Sequence, residues 1–186
     1  MPTYKAELTP LNAAKIGCAP HGTVTFTETA TSLKIRLEMF DTPAEIQHWE
    51  HFHGFPDGRA ATVPTAAQDT NHDGFIDLPE TAVVSGTTMV PLDAAPHEMC
   101  IPNDHYPVAD ANGHYAYEKE VPLAKLKAKF EETFHTADLA LDKRVVYVHG
   151  VPADLELPET VGGKINDDYD QHVTLPIAAG RIERVD

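Results

Sequence analysis

Histidines provide the most specific chemistry in this sequence. Residues 48–53 read His-Trp-Glu-His-Phe-His, inside a strand predicted from Ile46 to Phe55. Side chains alternate across a strand, so Trp49, His51 and His53 point to one face. Two imidazoles at this spacing can hold one metal ion, and nitrogen ligands suit copper or zinc. We therefore predict a metal site on this face.

Such a site needs at least one more ligand from a distant part of the chain. His149 is the first candidate, because the run Val145–Val148 predicts a buried strand that ends at this residue. A single strand histidine is more often a hydrogen-bonded structural residue, so the prediction depends on the grouping of three. The second candidates lie in or beside long polar loops: His72, His97, His105 and His114.

A different metal-binding pattern spans residues 69–80, Asp-Thr-Asn-His-Asp-Gly-Phe-Ile-Asp-Leu-Pro-Glu. It matches the calcium-loop pattern D-x-[DN]-x-[DN]-G-x5-E at every fixed position. Alternating oxygen donors can wrap around a hard cation that needs six to eight ligands. The predicted calcium ligands are the Phe75 carbonyl and the side chains of Asp69, Asn71, Asp73, Asp77 and Glu80. The alternative is an acidic turn stabilised by its own hydrogen bonds.

No helix is expected to follow this loop. Pro79 disfavours one, and Thr81–Val84 is β-like in composition. The sequence therefore predicts a surface loop that calcium orders, with a structural rather than a sensing role.

The remaining patterns predict a mainly β protein. Residues 33–40 alternate cleanly, with Leu33, Ile35, Leu37 and Met39 on one face. Further strands are predicted over residues 4–11, 23–29, 81–92, 113–121, 144–151 and 173–185.

One helix is predicted to begin at Pro122, because Leu126, Phe130 and Phe134 then share a stripe. Several short strands with turn residues between them predict an antiparallel all-β sandwich. We expect one domain over residues 1–186, with functional loop insertions near 56–80 and 91–112.

The charge balance limits the possible partners. Lys plus Arg is 14 and Asp plus Glu is 29, which gives a net charge of −15. Such a chain disfavours nucleic acid and anionic membranes, and no apolar run approaches the roughly 20 residues of a membrane span. Metal cations are the partners that this charge and the 11 histidines favour. Cys18 and Cys100 fit no zinc spacing; a disulfide and two free thiols both remain open.

Several segments together resemble the copper–zinc superoxide dismutases. His-Phe-His-Gly-Phe-Pro-Asp at 51–57 resembles their His-x-His copper strand. Three further segments resemble an early strand, a later copper-ligand strand and the closing strand: residues 22–26, 144–150 and 175–182. The resemblance implies a Greek-key β-sandwich and gives copper-ligand roles to His51, His53 and His149.

This chain also departs from that family. Pro176 stands where the active-site Arg would fall, and Ala179 where the disulfide Cys would fall. The calcium-like loop replaces the zinc loop. The chain therefore resembles more closely the secreted bacterial relatives of that fold, including domains of the chordin type.

A shorter element, Trp49-Glu50-His51, is similar to the Trp-x-His element of the methanotroph surface copper-binding proteins of the MopE/CorA type. In those proteins the Trp is oxidised to kynurenine and joins two His on copper, and calcium is also bound. The resemblance implies copper-ligand roles for Trp49, His51 and, from a distance, His149.

We expect an extracytoplasmic protein, whether extracellular, on the outer surface or periplasmic, that captures or handles copper. Copper would bind His51, His149 and either His53 or oxidised Trp49, and calcium would order the nearby loop. One alternative is a copper-dependent oxidoreductase of the superoxide dismutase type, which the acidic charge and the missing Arg disfavour. The other is a calcium-stabilised, non-catalytic binding or adhesion domain.

Overall fold

Nine strands and four α-helices make up the chain, as given by a computed structural model that describes residues 1–186. The strands are β1 (Thr3–Pro10), β2 (His21–Glu28), β3 (Ser32–Phe40), β4 (Glu50–Gly54), β5 (Thr87–Pro91), β6 (Tyr115–Pro122), β7 (Val145–His149), β8 (Pro176–Arg181) and β9 (Glu183–Arg184). The helices are α1 (Ala13–Ile16), α2 (Leu78–Ser85), α3 (Leu123–Phe134) and α4 (Gln171–Thr174). The predicted all-β class is confirmed. None of the helices is both long and apolar enough to cross a membrane.

The sheet is antiparallel and strongly curled. Its strand order is β5-β4-β7-β8-β1-β2-β3-β6, with β9 beside β1. Phe26 of β2 meets Phe52 of β4 edge to face with ring centres 6.3 Å apart, although three strands separate them in the sheet. The sheet therefore forms a half-barrel around the main core. Its edge strands β5 and β6 do not pair with each other, and the 3₁₀ turn Pro96–Glu98 packs against both. The predicted Greek-key sandwich is not established by this arrangement and stays a prediction.

Strand β3 follows its hydrophobic alternation. Leu33, Ile35 and Leu37 are almost fully buried, whereas Lys34 and Arg36 are exposed. Because the register is fixed by which face is buried, the clean period of two in this segment was sufficient to predict it. The predicted inward face is confirmed.

Strands β4 and β7 are buried on both faces, which is how the fold encloses polar side chains. Phe52, Val146 and Val148 point into the main core. Tyr147 lies in a separate, smaller cluster. Loop residues from the predicted insertions cover that second face, and Ala61 for example is completely buried there. The second face carries the histidines described below.

The predicted strand over 81–92 is half wrong, and so is the expectation that no helix follows the acidic loop. Residues 78–85 form α2, and only Thr87–Pro91 is strand. Asp77 caps the helix by accepting a bond from the Glu80 amide at 3.0 Å, and the Glu80 carboxylate accepts from the Asp77 amide at 3.2 Å. Pro79 lies in the first turn, where a missing N–H leaves no bond unmade.

Two other predicted strands are shorter than expected. The segment 46–55 becomes strand only at Glu50, after an isolated bridge between Gln47 and Val108. The segment 173–185 starts inside α4 and continues as β8 and β9.

The predicted helix α3 is present over Leu123–Phe134. Both cysteines are free thiols.

Arg144 is a fully enclosed cation that ties two loops to β7. Its Nε donates to the Leu139 carbonyl at 2.9 Å, and its Nη1 donates to the Phe55 carbonyl at 3.0 Å. Burial lowers its pKa.

Arg144→Met leaves both carbonyls unpaired, so we expect the free energy of unfolding in urea to fall by about 2–4 kcal/mol. Arg36→Met, on the exposed face of β3, serves as control and should change it by less than about 0.5 kcal/mol; equal losses would contradict the assignment.

Candidate metal centre

Three buried histidines converge on the outer face of β4 and β7. His51 and His53 alternate along β4, and His149 ends the neighbouring strand β7. One ligand nitrogen from each lies within 4.8 Å of the others, and no other group of three or more His, Cys, Asp or Glu in the chain meets this condition. All three are at most 2% exposed. The group can hold a metal ion.

Two of the ring nitrogens have no hydrogen-bond partner although they are buried: Nδ1 of His51 and Nε2 of His149. The opposite nitrogen is engaged in both rings. His149 Nδ1 lies 3.2 Å from the Trp49 carbonyl, which only accepts, so Nδ1 carries the proton and Nε2 presents a lone pair. His51 Nε2 lies 2.8 Å from the Tyr106 hydroxyl, which can accept the ring proton in the same way.

Unpaired buried nitrogens are costly, at about 1–3 kcal/mol for each group. Their presence on two adjacent rings is what a metal-ligand set requires, because the metal occupies the lone pairs and the outer nitrogens are fixed by other bonds. The residues present therefore fit a metal ion. His53 is held less firmly, with Nε2 at 3.5 Å from the Thr88 hydroxyl.

Burial keeps these imidazoles neutral. Desolvation lowers the pKa of His51 and His53 well below the ordinary value, and the charge of His149 adds to the effect. Desolvation also lowers the pKa of His149 to about 4, although the hydrogen bond that its ring donates to the Trp49 carbonyl acts in the opposite direction. All three rings are thus neutral at neutral pH, and each has one nitrogen lone pair available for a metal.

Trp49 packs beside the cluster, as the strand alternation predicted. Its ring meets His51 edge to face at 6.0 Å between centres. It lies between Tyr106 at 5.5 Å and Tyr169 at 5.0 Å. The indole nitrogen is a donor only, so the unmodified side chain is a neighbour of the metal position and not a ligand.

The inner face of β4 carries a polar pair that the sequence did not indicate. Glu50 is completely buried; one carboxyl oxygen accepts a bond from the Tyr115 hydroxyl at 2.9 Å, and the other has no partner. Burial raises the pKa of Glu50 well above its ordinary value. His48 stacks on the Tyr115 ring, and its ring nitrogens lie 3.0 and 2.9 Å from two backbone carbonyls, to one of which the neutral ring can donate. These contacts hold β4 and the segment before it on the side of the sheet opposite the three histidines.

The other candidate histidines do not join the cluster. His114 pairs with Glu38 at 2.9 Å on the surface. His72 and His105 are exposed, and His97 is half-buried. Among the candidates left open by the sequence, His149 alone lies with His51 and His53.

The acidic loop is ordered by its own hydrogen bonds. Asp69 and Asn71 both accept from the Asp73 amide, at 3.1 and 3.0 Å. Asp73 accepts from the Phe75 amide at 2.8 Å, and Phe75 packs into the core. The loop carboxylates do not form a group as close as the histidines do. Its calcium ligands, Asp69, Asn71, Asp73, Phe75, Asp77 and Glu80, stay a prediction.

Helix α2 connects this loop to the histidines. Asp77 and Glu80 occupy the ninth and twelfth loop positions and also close the first turn of α2. Leu78, the first residue of that helix, lines the same small cavity as His51 and His149. Ordering the loop therefore positions one wall of the metal centre.

No model of a known protein family matches this chain, and no curated protein matches it. The resemblances to superoxide dismutases and to the MopE/CorA type therefore stay predictions. The histidine cluster is supported by its geometry: three buried rings with ligand nitrogens within 4.8 Å of one another.

Proposed function

We propose that this protein binds copper through His51, His53 and His149 and serves in copper capture or handling outside the cytoplasm. The observation that carries the proposal is the pair of unpaired, fully buried nitrogens on His51 and His149 beside the third ring. Imidazole donors suit copper, and among divalent first-row ions copper binds such sites most tightly.

The charge of the site favours the monovalent ion. Its three ligands are neutral, and no carboxylate belongs to the group. Burying a cation without a counter-charge is costly, and the cost rises steeply with charge. A Cu⁺ ion is therefore accommodated at a lower desolvation cost than a divalent ion, and Zn²⁺, which three imidazoles also bind, is the competing metal.

Competition with a coloured copper(I) chelator such as bicinchoninate tests the proposal. We expect the protein to withdraw one copper(I) per chain from the chelator and to keep it in the presence of excess zinc. If the chelator keeps all the copper at every ratio, or zinc displaces it, the copper assignment is wrong.

Oxidised Trp49 is the competing third ligand. Opening the indole ring to kynurenine would create an aromatic amine next to His51, whereas the unmodified ring offers no lone pair. Peptide mass of the segment that contains Trp49, after aerobic copper loading, distinguishes the two. An unmodified mass with copper retained supports His53 as the ligand.

The fold proposal is a Greek-key sandwich like that of the superoxide dismutases. What supports it is the strand order, in which β3 pairs with β6 while β4 lies between β5 and β7. Closing the β5–β6 gap would complete the arrangement.

Calcium is proposed for the loop 69–80, in a structural role. What supports it is the twelve-residue match together with the placement of Asp77 and Glu80 at the start of α2. Calcium at about 100 times its Kd should stabilise the folded state by about 2.7 kcal/mol. We expect it to raise the Tm of the wild type and not that of Asp69→Asn, which removes one ligand charge.

Asp57→Asn, an exposed acidic position outside the loop, is the matched control and should keep the full calcium response. Magnesium serves as the cation control. An equal rise in Tm for Asp69→Asn and the wild type would place the cation elsewhere.

A further inference from the structure

A small cavity adjoins the metal position. It has a volume of about 40 Å³ and is bounded by His51 and His149 but not by His53. Its other walls are Trp49, Leu78, Thr88, Ile101, Ile165 and Thr174. About 10–15 Å³ is enough for one water molecule, so the space is large enough for a molecule of a few atoms.

The polar groups in the cavity wall are two histidines and two threonines. The Thr174 hydroxyl donates a hydrogen bond to the Gly163 carbonyl at 2.9 Å, and the Thr88 hydroxyl lies 3.5 Å from His53 Nε2, so both threonines have partners outside the cavity. The remaining walls other than the histidines are aliphatic or aromatic. A bound water needs two to four polar partners, and the unpaired atoms here are the nitrogens that the metal would occupy. With the metal in place, the space suits a small apolar molecule.

An acidic groove adjoins the cavity at Trp49. Trp49 also lines an outer groove of about 350 Å³, whose walls include Asp104, Asp167 and Asp168. A cleft lined by one sign of charge repels ions of that sign. Anions such as superoxide are therefore disfavoured in this groove, whereas neutral molecules are not.

We infer that this cavity binds one neutral diatomic molecule, of the class of carbon monoxide, nitric oxide or dioxygen, next to the metal position. The placement beside copper rests on the proposed function. The cavity itself does not, because protein residues alone form it: its walls belong to β4, β5, β7, α2, α4 and three loops.

Xenon tests the cavity in the metal-free protein, since dry apolar cavities bind it. We expect xenon to shift the methyl resonances of Ile101 and Ile165 in NMR spectra. Ile165→Trp should abolish xenon binding by filling the space, and Ile165→Ala should strengthen it. Ile165 is 46% exposed, so both variants should fold. Val83→Trp, exposed on α2, is the matched control and should bind xenon normally.

Carbon monoxide tests the placement beside copper. We expect copper(I)-loaded protein to show an infrared band of bound carbon monoxide, which Ile165→Trp removes while its copper content stays unchanged. Absence of xenon binding, or xenon shifts that Ile165→Trp leaves intact, overturns the inference. A full copper content with no carbon monoxide band overturns the placement. Loss of copper with xenon binding intact would instead refute the proposed function and leave the cavity standing.

Discussion

Replacing His149 with alanine is expected to lower the copper affinity by more than about 100-fold. Residues that merely orient metal ligands cost about 10–100-fold when they are removed, and a direct ligand costs more. His149 presents an unpaired nitrogen to the cluster, so its loss removes one of the three metal donors. Chelator competition at neutral pH measures the change.

His105→Ala is the matched control for this variant. His105 is exposed in the loop 91–112 and was a candidate ligand by sequence, but it lies outside the cluster. We expect its copper affinity to equal that of the wild type. Thermal unfolding of the metal-free variants separates a lost ligand from a lost fold. Full copper affinity in a folded His149→Ala protein would contradict the assigned ligand set.

The metal-free protein is expected to lose stability steeply as the pH falls from about 6.5 towards 4. His149 has a pKa of about 4 in the folded state against about 6.5 when unfolded, because burial disfavours its charged form. Between these values the unfolded state binds more protons, so acid favours unfolding. His149 alone contributes a loss of about 3 kcal/mol by pH 4. His48, His51 and His53 act in the same direction.

Urea unfolding between pH 7 and 4.5 measures this loss. Glu50 acts in the opposite sense, because burial raises its pKa and the folded state gains its proton first. A comparison with His149→Gln, which removes the titrating group, therefore isolates the contribution of His149. The variant should lose less stability over this range than the wild type. Identical pH dependence in the two proteins would show that His149 is not a buried neutral imidazole.

Copper should suppress the same loss in the wild type. A metal that binds the neutral rings of the folded state stabilises that state and competes with protons for the ligands. In His149→Ala, where copper is bound weakly, we expect the metal to give little protection at the same pH.

The parts that local periodicity determines were predictable from the sequence. The alternation in β3 identified its buried face, and the stripe of Leu126 and Phe130 identified α3. The period of two also placed His51 and His53 on one side of β4. These features depend on neighbouring residues only, so no knowledge of the tertiary structure was needed.

Helix α2 could not be predicted by composition. Its β-branched residues and Pro79 favour other structures, and the capping box between Asp77 and Glu80 outweighs them. The sequence does carry a capping pattern at these two positions, which are also two of the predicted calcium ligands. The same two residues are compatible with both roles.

The third histidine and its supporting contacts depend on tertiary structure. The choice of His149 over the loop histidines follows from the pairing of β7 with β4. Tyr106 lies in a loop without periodicity, so its bond to His51 left no trace in the sequence. The Glu50–Tyr115 pair joins β4 to β6 across the core, so it too depends on the tertiary structure and could not be predicted from local sequence.

Elemental analysis of copper, zinc and calcium per chain, after metal exposure and exhaustive dialysis, is the most direct test of the copper centre. We predict one copper and no zinc per chain in the wild type, and no copper in a folded His51→Ala, His149→Ala double variant. Wild-type protein that retains no copper, or a double variant that retains a full equivalent, would contradict copper binding by His51, His53 and His149.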